Sequence, residues 1–305
     1  MTLFKQRGFV LPLALIMLAI LTGLAVTLSE QAHTKMLEIQ RQQTSWRNEL
    51  EYRSALHHVI RILLTGEVAY NKVYLDPFAL PIDGQSFKLK GLDVQIQEGA
   101  GLIGLGHYEP EWMLRLLSQF CGTEQALRIT DELADWVDQD NARHRYGLES
   151  IDYLRQRHAY LPRNIALRSL DELLELPSMT PELYNGDAER YGLRDLLLTG
   201  GIDHLNIATA PAPVIQAVLG LSAQQTRKII SLRTSNNWTE LNKLLPTYHR
   251  AFGEFGAYTA SNLFRIRLRK QNDPALTVLL RLTFNKSTPY EILLWHYPDT
   301  YRGWI

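Results

Sequence analysis

The sequence predicts an α+β protein in which a long N-terminal helix precedes one sheet, and a large helical segment interrupts that sheet. Residues 9–28 are apolar and uncharged, and the polar, periodic segment after them contains no Gly or Pro before Gly66. Apolar and polar residues alternate, as in strands, before residue 99 and again after residue 262. The long segment between these two regions shows helical periodicity instead.

The apolar segment at residues 9–28 is long enough to cross a membrane. Its 20 residues, at about 1.5 Å of helix rise each, match a hydrocarbon core of roughly 30 Å. Lys5 and Arg7 precede it, so the positive-inside tendency leaves residues 1–8 in the cytoplasm. The alternative is a secretory signal peptide, whose apolar region is normally about 7 to 15 residues long. We therefore expect an anchor whose helix continues beyond the membrane through residues 29–65.

The sheet is expected in two parts, residues 66–103 and residues 262–305. In the first part, GQSFKLKGLDVQIQ alternates apolar and polar residues and predicts one or two short strands. In the second part, NLFRIRLRK, ALTVLLRLTFN and YEILLWHY predict three strands separated by turn residues. Residues 104–261 form the helical insertion, in which Ser169 and Glu172 have the spacing of a capping box at a helix start.

The net charge of zero conceals an asymmetry along the chain. Residues 1–108 carry 10 basic and 9 acidic side chains, residues 109–203 carry 10 and 18, and residues 204–305 carry 12 and 5. We expect the acidic and basic blocks to complement each other within the molecule. The zero total gives no global signal for nucleic-acid binding, and the composition excludes a disordered chain or a polytopic membrane protein. Cys121 is the only cysteine, which excludes an internal disulfide.

The N-terminal stretch KQRGFVLPLALIMLAIL resembles a type IV prepilin leader, residues 1–8. It has a short basic peptide that ends in Gly8, then Phe9 as the first mature residue, then an unbroken apolar helix. The resemblance implies that a prepilin peptidase cuts after Gly8 on the cytoplasmic side of the membrane and N-methylates Phe9. The apolar segment then remains on the mature protein as its anchor.

The fifth mature position, Leu13, departs from the common pattern of that family. Most pilins and pseudopilins carry a glutamate there, which is thought to meet the terminal amine of the neighbouring subunit. A carboxylate in the bilayer is costly unless it is paired, so a subunit with leucine fits the tip of a filament. Three features together resemble the K-type minor pseudopilins of the type II secretion system. They are the leucine at position 13, the phrase LADWVDQD followed by GLES, and the phrase HLNIATAP.

The resemblance implies the pseudopilin fold, with the long helix packed on an antiparallel sheet and an all-α domain inserted in that sheet. It implies a single-pass protein of the bacterial inner membrane with most of its chain in the periplasm. Its partners would be the other minor pseudopilins, the major pseudopilin and the prepilin peptidase, with the outer-membrane secretin or an exported substrate as further candidates. The protein would nucleate or cap the pseudopilus.

The densest group of carboxylates lies early in the insertion. Its members are Asp131, Glu132, Asp135, Asp138, Asp140, Glu149 and Asp152. Asp138, Asp140 and Glu149 match positions 1, 3 and 12 of an EF-hand loop, but Ala142 and Arg143 stand where that loop needs an oxygen ligand and a glycine. An EF-hand is therefore excluded. What remains is an acidic loop whose carboxylate oxygens can converge on a hard cation.

The K-type resemblance implies that the inserted domain binds calcium. We predict Asp138, Asp140, Glu149 and Asp152 as the ligands. The alternative is a solvated acidic loop whose carboxylates pair with the arginines of the same segment, which are Arg143, Arg145 and Arg155.

The motifs do not indicate an enzyme. The nine histidines show no metal-ligand spacing, and the sequence contains no Gly-rich phosphate loop, G-x-S-x-G elbow or Cys/His pair. Asn206 and Thr209, in HLNIATAP, precede a predicted helix, and we interpret them as structural residues that satisfy its free N–H groups rather than as a binding site.

A helix-hairpin-helix DNA-binding protein of a competence or type IV pilus system is the alternative function. The segment LNIATAPAPVIQAVLGLSAQQTRKIISLR resembles that module, in which a Gly-hydrophobic-Gly turn presents backbone N–H groups to phosphate. Here the turn reads Gly220, Leu221, Ser222, so the second glycine is missing. Arg265, Arg267 and Arg269 alternate along a predicted strand, and we interpret them as a solvated or lipid-headgroup face rather than a phosphate track.

Overall fold

A computed structural model describes most of the chain and confirms the α+β class. The described residues are 10–106, 109–158, 160–187, 189–200, 204–248, 258–271, 273–283 and 287–299. The chain divides into two compact units, Met1–Ser54 and Ala55–Ile305. Strands from both sides of the helical insertion lie in one antiparallel sheet, as the fold class predicts.

A single helix, α1, spans Val10–Thr65. This helix is long enough and apolar enough to cross a membrane, as judged from the length and composition of Leu11–Thr65. The large apolar side chains from Leu11 to Leu28 are all exposed. Because exposed apolar side chains are unfavourable in water but not in lipid, this N-terminal part of α1 has the surface of a membrane anchor.

Two antiparallel sheets follow α1. Their strands are β1 Glu67–Ala69, β2 Lys72–Leu75, β3 Phe78–Pro81, β4 Asp83–Leu89, β5 Leu92–Glu98, β8 Leu263–Arg269, β9 Ala275–Leu282 and β10 Tyr290–Asp299. The small sheet has the order β1-β2-β3, and the main sheet has the order β10-β9-β8-β5-β4. In the main sheet β5 pairs with β8, with Asp93 opposite Arg269 and Glu98 opposite Phe264.

The strands expected in GQSFKLKGLDVQIQ are present as β4 and β5, but three more strands precede them that the sequence pattern did not predict. The first three contain only three or four residues, too few to show an alternating pattern. They are separated by tight turns, such as the one at Tyr70, whose φ is 56°. The turn between β4 and β5 has positive φ at both Lys90 and Gly91, which is the backbone of a two-residue type I′ hairpin.

The insertion is helical, apart from the short parallel pair β6 Ile103–Gly104 and β7 Leu197–Leu198. Its helices are α2 Pro110–Leu117, α3 Thr123–Val137, α4 Ser150–Arg155, α5 Pro181–Asn185, α6 Leu193–Leu196, α7 Ala212–Leu219, α8 Ala223–Thr234 and α9 Trp238–Tyr248. The expected capping box is confirmed, with Ser169 and Glu172 at the start of a 3-10 helix, Leu170–Glu175. One apolar core, which includes Leu116, Leu133 and Ile215, joins these helices.

The interpretation of Arg265 and Arg267 as a solvated face was wrong, because both side chains are buried. The insertion covers this face of the sheet. The Arg265 guanidinium donates hydrogen bonds to the main-chain carbonyls of Arg194 and Asp195, at the end of α6. Arg267 lies 3.9 Å from the Asp299 carboxylate. The Arg265 side chain therefore joins the insertion to the sheet, and the Arg267 side chain lies beside β10 of the same sheet.

Candidate functional site

The acidic loop connects α3 to α4 and brings three of the four predicted metal ligands together. Asp138 follows the last residue of α3, and Glu149 precedes the first residue of α4. Asp138, Asp140 and Glu149 each offer a carboxylate oxygen, and these oxygens all lie within 4.8 Å of one another. The loop thus gathers oxygen donors, which are the ligands that Ca²⁺ prefers.

The loop is held in this shape by two carboxylates on α3. Asp131 accepts a hydrogen bond from the Tyr146 main-chain N–H at 3.0 Å, and Asp135 accepts one from the His144 N–H at 3.1 Å. A Cβ at Gly147 would lie 2.0 Å from an Asp135 carboxylate oxygen. Only glycine therefore allows the loop to approach α3 this closely.

Several oxygens of the cluster are buried without a partner. Oδ1 of Asp138 and both carboxylate oxygens of Glu149 are inaccessible to solvent and have no hydrogen-bond donor in the part of the chain that the structure describes. Burying a charged oxygen without compensation is costly, and such groups in proteins are paired or bind a metal ion. The donor set therefore fits a hard cation.

The electrostatics of the loop point the same way. Burial raises the pKa of Asp138, and the neighbouring Asp140 and Asp135 raise it further. Burial also raises the pKa of Glu149, with added repulsion from Asp135, Asp138 and Asp140. A bound divalent cation would remove this repulsion and favour the ionised carboxylates.

Asp152, the fourth predicted ligand, has other contacts. Its carboxylate accepts a hydrogen bond from the Glu149 main-chain N–H at 3.2 Å, which caps the start of α4. It also lies 3.8 Å from the Arg143 guanidinium and 3.9 Å from that of Arg155. Arg145 instead lies over the Tyr146 ring. Within the described residues, Arg143 and Arg155 thus pair with Asp152, and none of the three arginines forms an ion pair with the clustered carboxylates.

Sequence reasoning did not select Asp135 and His144 as ligands. Together with Asp138 they form a second group whose ligand atoms lie within 4.8 Å of one another. The His144 ring Nδ1 contacts the buried Asp135 carboxylate, and this hydrogen bond raises the pKa of His144. The presence of Asp135 in the acidic group was a signal, but its contact with His144 depends on the path of the loop, which spacing alone does not reveal.

Asn206 and Thr209 bind a buried carboxylate that sequence reasoning missed. The Asn206 amide and the Thr209 hydroxyl donate hydrogen bonds to Oε2 of Glu98, at 3.1 and 2.7 Å. Asn206 also accepts a hydrogen bond from the Ala208 N–H. This N–H lies in the turn before α7, whose N-cap is Pro211 without a side-chain cap, so the expected capping of that helix is not observed among the described residues. Glu98 ends β5, so these residues connect the insertion to the main sheet.

The predicted processing site, Gly8 and Phe9, lies outside the described residues. Leu13 lies in the first turns of α1, and its side chain is 52% exposed. A leucine at this position gives the helix surface an apolar side chain where the common family pattern has a carboxylate.

The turn at Gly220–Ser222, which the alternative DNA-binding function would place against phosphate, is capped by side chains of the same segment. Gly220 has φ of 63° and ends α7. The Ser222 hydroxyl accepts a hydrogen bond from the Gln225 N–H, and the Gln225 side-chain carbonyl accepts one from the Ser222 N–H. Two of the N–H groups that would face phosphate at the start of α8 are therefore occupied. The nearby Arg233 is buried and donates to the carbonyls of Ile207 and Ala210.

Comparison with known proteins shows similarity in sequence to a secretion-system protein. The family model of the type II secretion system (T2SS), protein K, matches residues 102–186, which include the acidic loop. The type II secretion system protein K of Pectobacterium carotovorum subsp. carotovorum is 22% identical over 276 residues, which cover 80% of this chain and 80% of that protein.

A solved structure shares the fold. It is the crystal structure of the GspK-GspI-GspJ complex from the enterotoxigenic Escherichia coli type 2 secretion system, and it matches with a TM-score of 0.55 and 17% identity over 84% of this chain and 98% of the matched chain. The leader-like N-terminus, the insertion in the sheet and these similarities agree: residues 102–186 match the protein K family model, the chain is similar in sequence to one protein K, and it shares the fold of the matched chain.

Proposed function

We propose that this protein is a minor pseudopilin at the tip of the type II secretion pseudopilus, where it nucleates or caps assembly for protein export across the outer membrane. The observation that carries the proposal is the architecture. A single anchor-type helix leads into a pilin-like antiparallel sheet, and a helical domain larger than the sheet is inserted between β5 and β8. Such a bulky insertion is compatible with the end of a thin filament but not with its shaft.

The role is mechanical rather than catalytic. Residues 9–28 anchor the chain in the inner membrane by one pass and pack against the helices of neighbouring pseudopilins, while the remaining chain lies in the periplasm. Leu13 leaves the helix without the carboxylate that would bind the terminal amine of a subunit above it. A subunit that does not need a partner above it can occupy the first position of a filament.

The partners follow from the same position. The structural neighbour was solved as a GspK-GspI-GspJ complex, and we propose that this chain likewise assembles with two other minor pseudopilins above the major pseudopilin. The prepilin peptidase would process Gly8 and Phe9. The exposed insertion at the tip is the part of the chain that would meet the outer-membrane secretin or an exported substrate.

Calcium is proposed as a structural ligand of the insertion, held by Asp138, Asp140 and Glu149. When bound, the ion would supply the positive charge that the clustered carboxylates lack. The support comes from the clustered oxygens of all three residues, and from the missing hydrogen-bond donors and raised pKa values of Asp138 and Glu149. Asp152 would support the site indirectly, because its carboxylate accepts a hydrogen bond from the main-chain N–H of Glu149 and so orients that residue.

A deletion strain tests the proposed function. We expect deletion of this chain to leave the exported proteins of the host in the periplasm, and we expect the wild-type chain supplied in trans to restore their release into the medium. Normal release by the deletion strain, together with a loss of DNA uptake, would instead support the alternative function. A mobility-shift assay of the detergent-solubilised full chain with a salt titration then separates the two readings.

A further inference from the structure

Large apolar side chains are exposed in one region of the insertion, which we call the apolar surface. Among the described residues of the insertion, every large apolar side chain that is exposed lies within residues 151–174; these are Ile151, Leu154, Leu161, Ile165 and Leu174. Their exposed fractions range from 37% for Leu174 to 58% for Leu154. Single exposed leucines are normal on a protein surface, but a group of them in one region is typical of an interaction site.

The apolar surface surrounds one aromatic cluster. The centroids of the Tyr153 and Tyr160 rings lie 5.7 and 6.2 Å from that of the Trp136 ring. The Asn164 main-chain N–H donates to the Trp136 carbonyl at 3.1 Å, and the Trp136 ring N–H donates to the Glu172 carboxylate at 3.4 Å. Each residue of the apolar surface is at most two positions from one of these contacts. All five side chains therefore belong to one region of the insertion.

Two of the five side chains lie on the outer face of α4. Ile151 and Leu154 are three positions apart, so they are neighbours on one face of the helix. Tyr153 points the other way and is buried in the core of the insertion. The core thus holds α4 through Tyr153, while the outer face exposes apolar side chains that are unfavourable in water.

Arginines accompany the apolar surface. Residues 143–168 carry two carboxylates and six arginines, which are Arg143, Arg145, Arg155, Arg157, Arg163 and Arg168. Of the two carboxylates, Glu149 is buried, and Asp152 lies 3.8 and 3.9 Å from two of the arginines. A third carboxylate, Glu172, lies 3.1 Å from Arg163. The acidic side chains of this region are therefore fewer than its arginines and already engaged.

Three of the arginines have no carboxylate partner among the residues that the structure describes. They are Arg145, Arg157 and Arg168, and all three are exposed. The Arg145 guanidinium lies over the Tyr146 ring, 5.0 Å from its centroid, which leaves its charge uncompensated. A partner that carries carboxylates would gain ion pairs here, because a guanidinium and a carboxylate match in shape and form two parallel hydrogen bonds.

A polypeptide segment fits this charge distribution better than an anionic membrane. Residues 109–203 carry 18 acidic and 10 basic side chains, so a broad anionic surface would meet net repulsion from this part of the insertion. A single segment contacts only the local surface, and salt screens exposed charges that lie more than about 10 Å away. The local arginines therefore decide the charge of the segment that is preferred.

We propose that the apolar surface and the arginines beside it bind a polypeptide segment of another protein, in which apolar side chains alternate with carboxylates. The leucines and isoleucines cover the apolar side chains of the segment, and the exposed arginines pair with its carboxylates. The proposal rests on the proposed function only for the place where such a segment is met, at the tip. The binding test can fail while export still depends on this chain, so the two are distinguishable.

Calorimetric titration of the full chain with short peptides tests the proposal. The chain is held in nanodiscs of zwitterionic phosphatidylcholine, and empty nanodiscs give the background. The probe is a blocked octapeptide with the sequence DLEDLEDL; in one control peptide lysine replaces every acidic residue, and in the other serine replaces every leucine. We expect saturable binding of the probe alone, with an affinity that falls as salt is added. No binding of the probe, or equal binding of all three peptides, would overturn the proposal.

Two variants test the position of the site. Leu154→Ser removes an exposed apolar side chain, and Arg157→Glu reverses an exposed charge, so neither change touches the core. We expect each to weaken binding of the probe by about fivefold or more. Val68→Ser on β1 and Arg227→Glu on α8 are the matched controls, because both residues are exposed and lie outside the apolar surface. Unchanged binding by Leu154→Ser, or equal weakening by the controls, would overturn the proposal.

Hydrogen exchange separates a polypeptide partner from a lipid surface. The full chain is compared in nanodiscs of phosphatidylcholine and in nanodiscs that also contain anionic phosphatidylglycerol, without peptide. We expect the main-chain N–H groups of residues 150–158 to exchange equally in both, and to exchange more slowly only when the probe is added. Slower exchange caused by the anionic lipid alone would assign this surface to a membrane and overturn the proposal.

Discussion

Replacing Glu98 by glutamine tests how the insertion is joined to the sheet. The Glu98 carboxylate is fully buried and acts only as an acceptor. Its Oε1 accepts from the main-chain N–H of Ala100 at 2.7 Å and from the N–H and hydroxyl of Ser261 at 2.7 and 2.6 Å. Its Oε2 accepts from Asn206 and Thr209. The interior of the insertion, at Asn206 and Thr209, and its C-terminal end, at Ser261, therefore bind one side chain of the sheet.

The size of the effect follows from this geometry. A glutamine amide has the same shape but brings an NH₂ group toward donors at either oxygen position. The less costly orientation places the NH₂ at the Oε2 position, because the Thr209 hydroxyl can rotate and accept, while the Asn206 amide loses its acceptor. One buried unsatisfied donor costs about 1–3 kcal/mol, and the hydrogen bonds that remain lose their charge assistance. We expect Glu98→Gln to lower the free energy of unfolding by about 2–4 kcal/mol.

Thermal unfolding of the detergent-solubilised chain, followed by circular dichroism, measures this loss. For a folded region of this size, each kcal/mol lowers Tm by about 2–4 °C, so we expect a decrease of about 4–16 °C. Glu124→Gln is the matched control. Its carboxylate is 75% exposed and pairs with Arg128 at 3.0 Å, so its removal should cost less than about 1 kcal/mol. Equal Tm values for the two variants would refute the role of Glu98.

Three further predictions concern the acidic loop and the leader. Calcium at about 100 times its Kd should raise Tm by about 5–10 °C, and a doubly substituted chain with Asp138→Asn and Glu149→Gln should lose this rise, whereas the exposed Asp187→Asn should keep it. This rise in Tm should shrink on acidification from neutral pH to about pH 5, because calcium binds the ionised carboxylates. Folding without calcium raises the pKa of both groups. The two carboxyls therefore contribute stability below their unfolded pKa and lose that contribution as pH rises through the folded pKa. A calcium effect that is independent of pH or of both carboxyls would contradict the site. Mass spectrometry should find N-methylated Phe9 as the mature terminus, and Gly8→Val should retain residues 1–8; a wild-type chain that begins at Met1 or beyond Leu28 would contradict the leader.

The sequence predicted the parts of the fold that depend on local pattern. The long apolar run predicted α1, and strong alternation predicted β8, β9 and β10. The capping box at Ser169 and Glu172 was also predictable, because it depends on residues three positions apart. The strands β1 to β3 were not, since they are too short to repeat the alternating pattern that reveals strands.

Contacts between distant segments could not be predicted from the sequence. Arg265 and Arg267 show the alternation of an exposed face, and their burial depends on an insertion that covers them. Glu98 is one acidic residue among many, and its five donors come from positions up to 163 residues away. At the acidic loop, the gathering of Asp138, Asp140 and Glu149 agrees with their spacing, but the contact between Asp135 and His144 arises only when the loop folds back on α3.

The copy number of this chain in the intact pseudopilus tests the tip position most directly. Filaments would be lengthened by overproduction of the major pseudopilin, purified and quantified by mass spectrometry with isotope-labelled peptides. A tip subunit should remain at one copy per filament, together with two other minor pseudopilins, while the copy number of the major subunit rises with filament length. A copy number of this chain that rises in proportion to the major subunit would contradict the tip position.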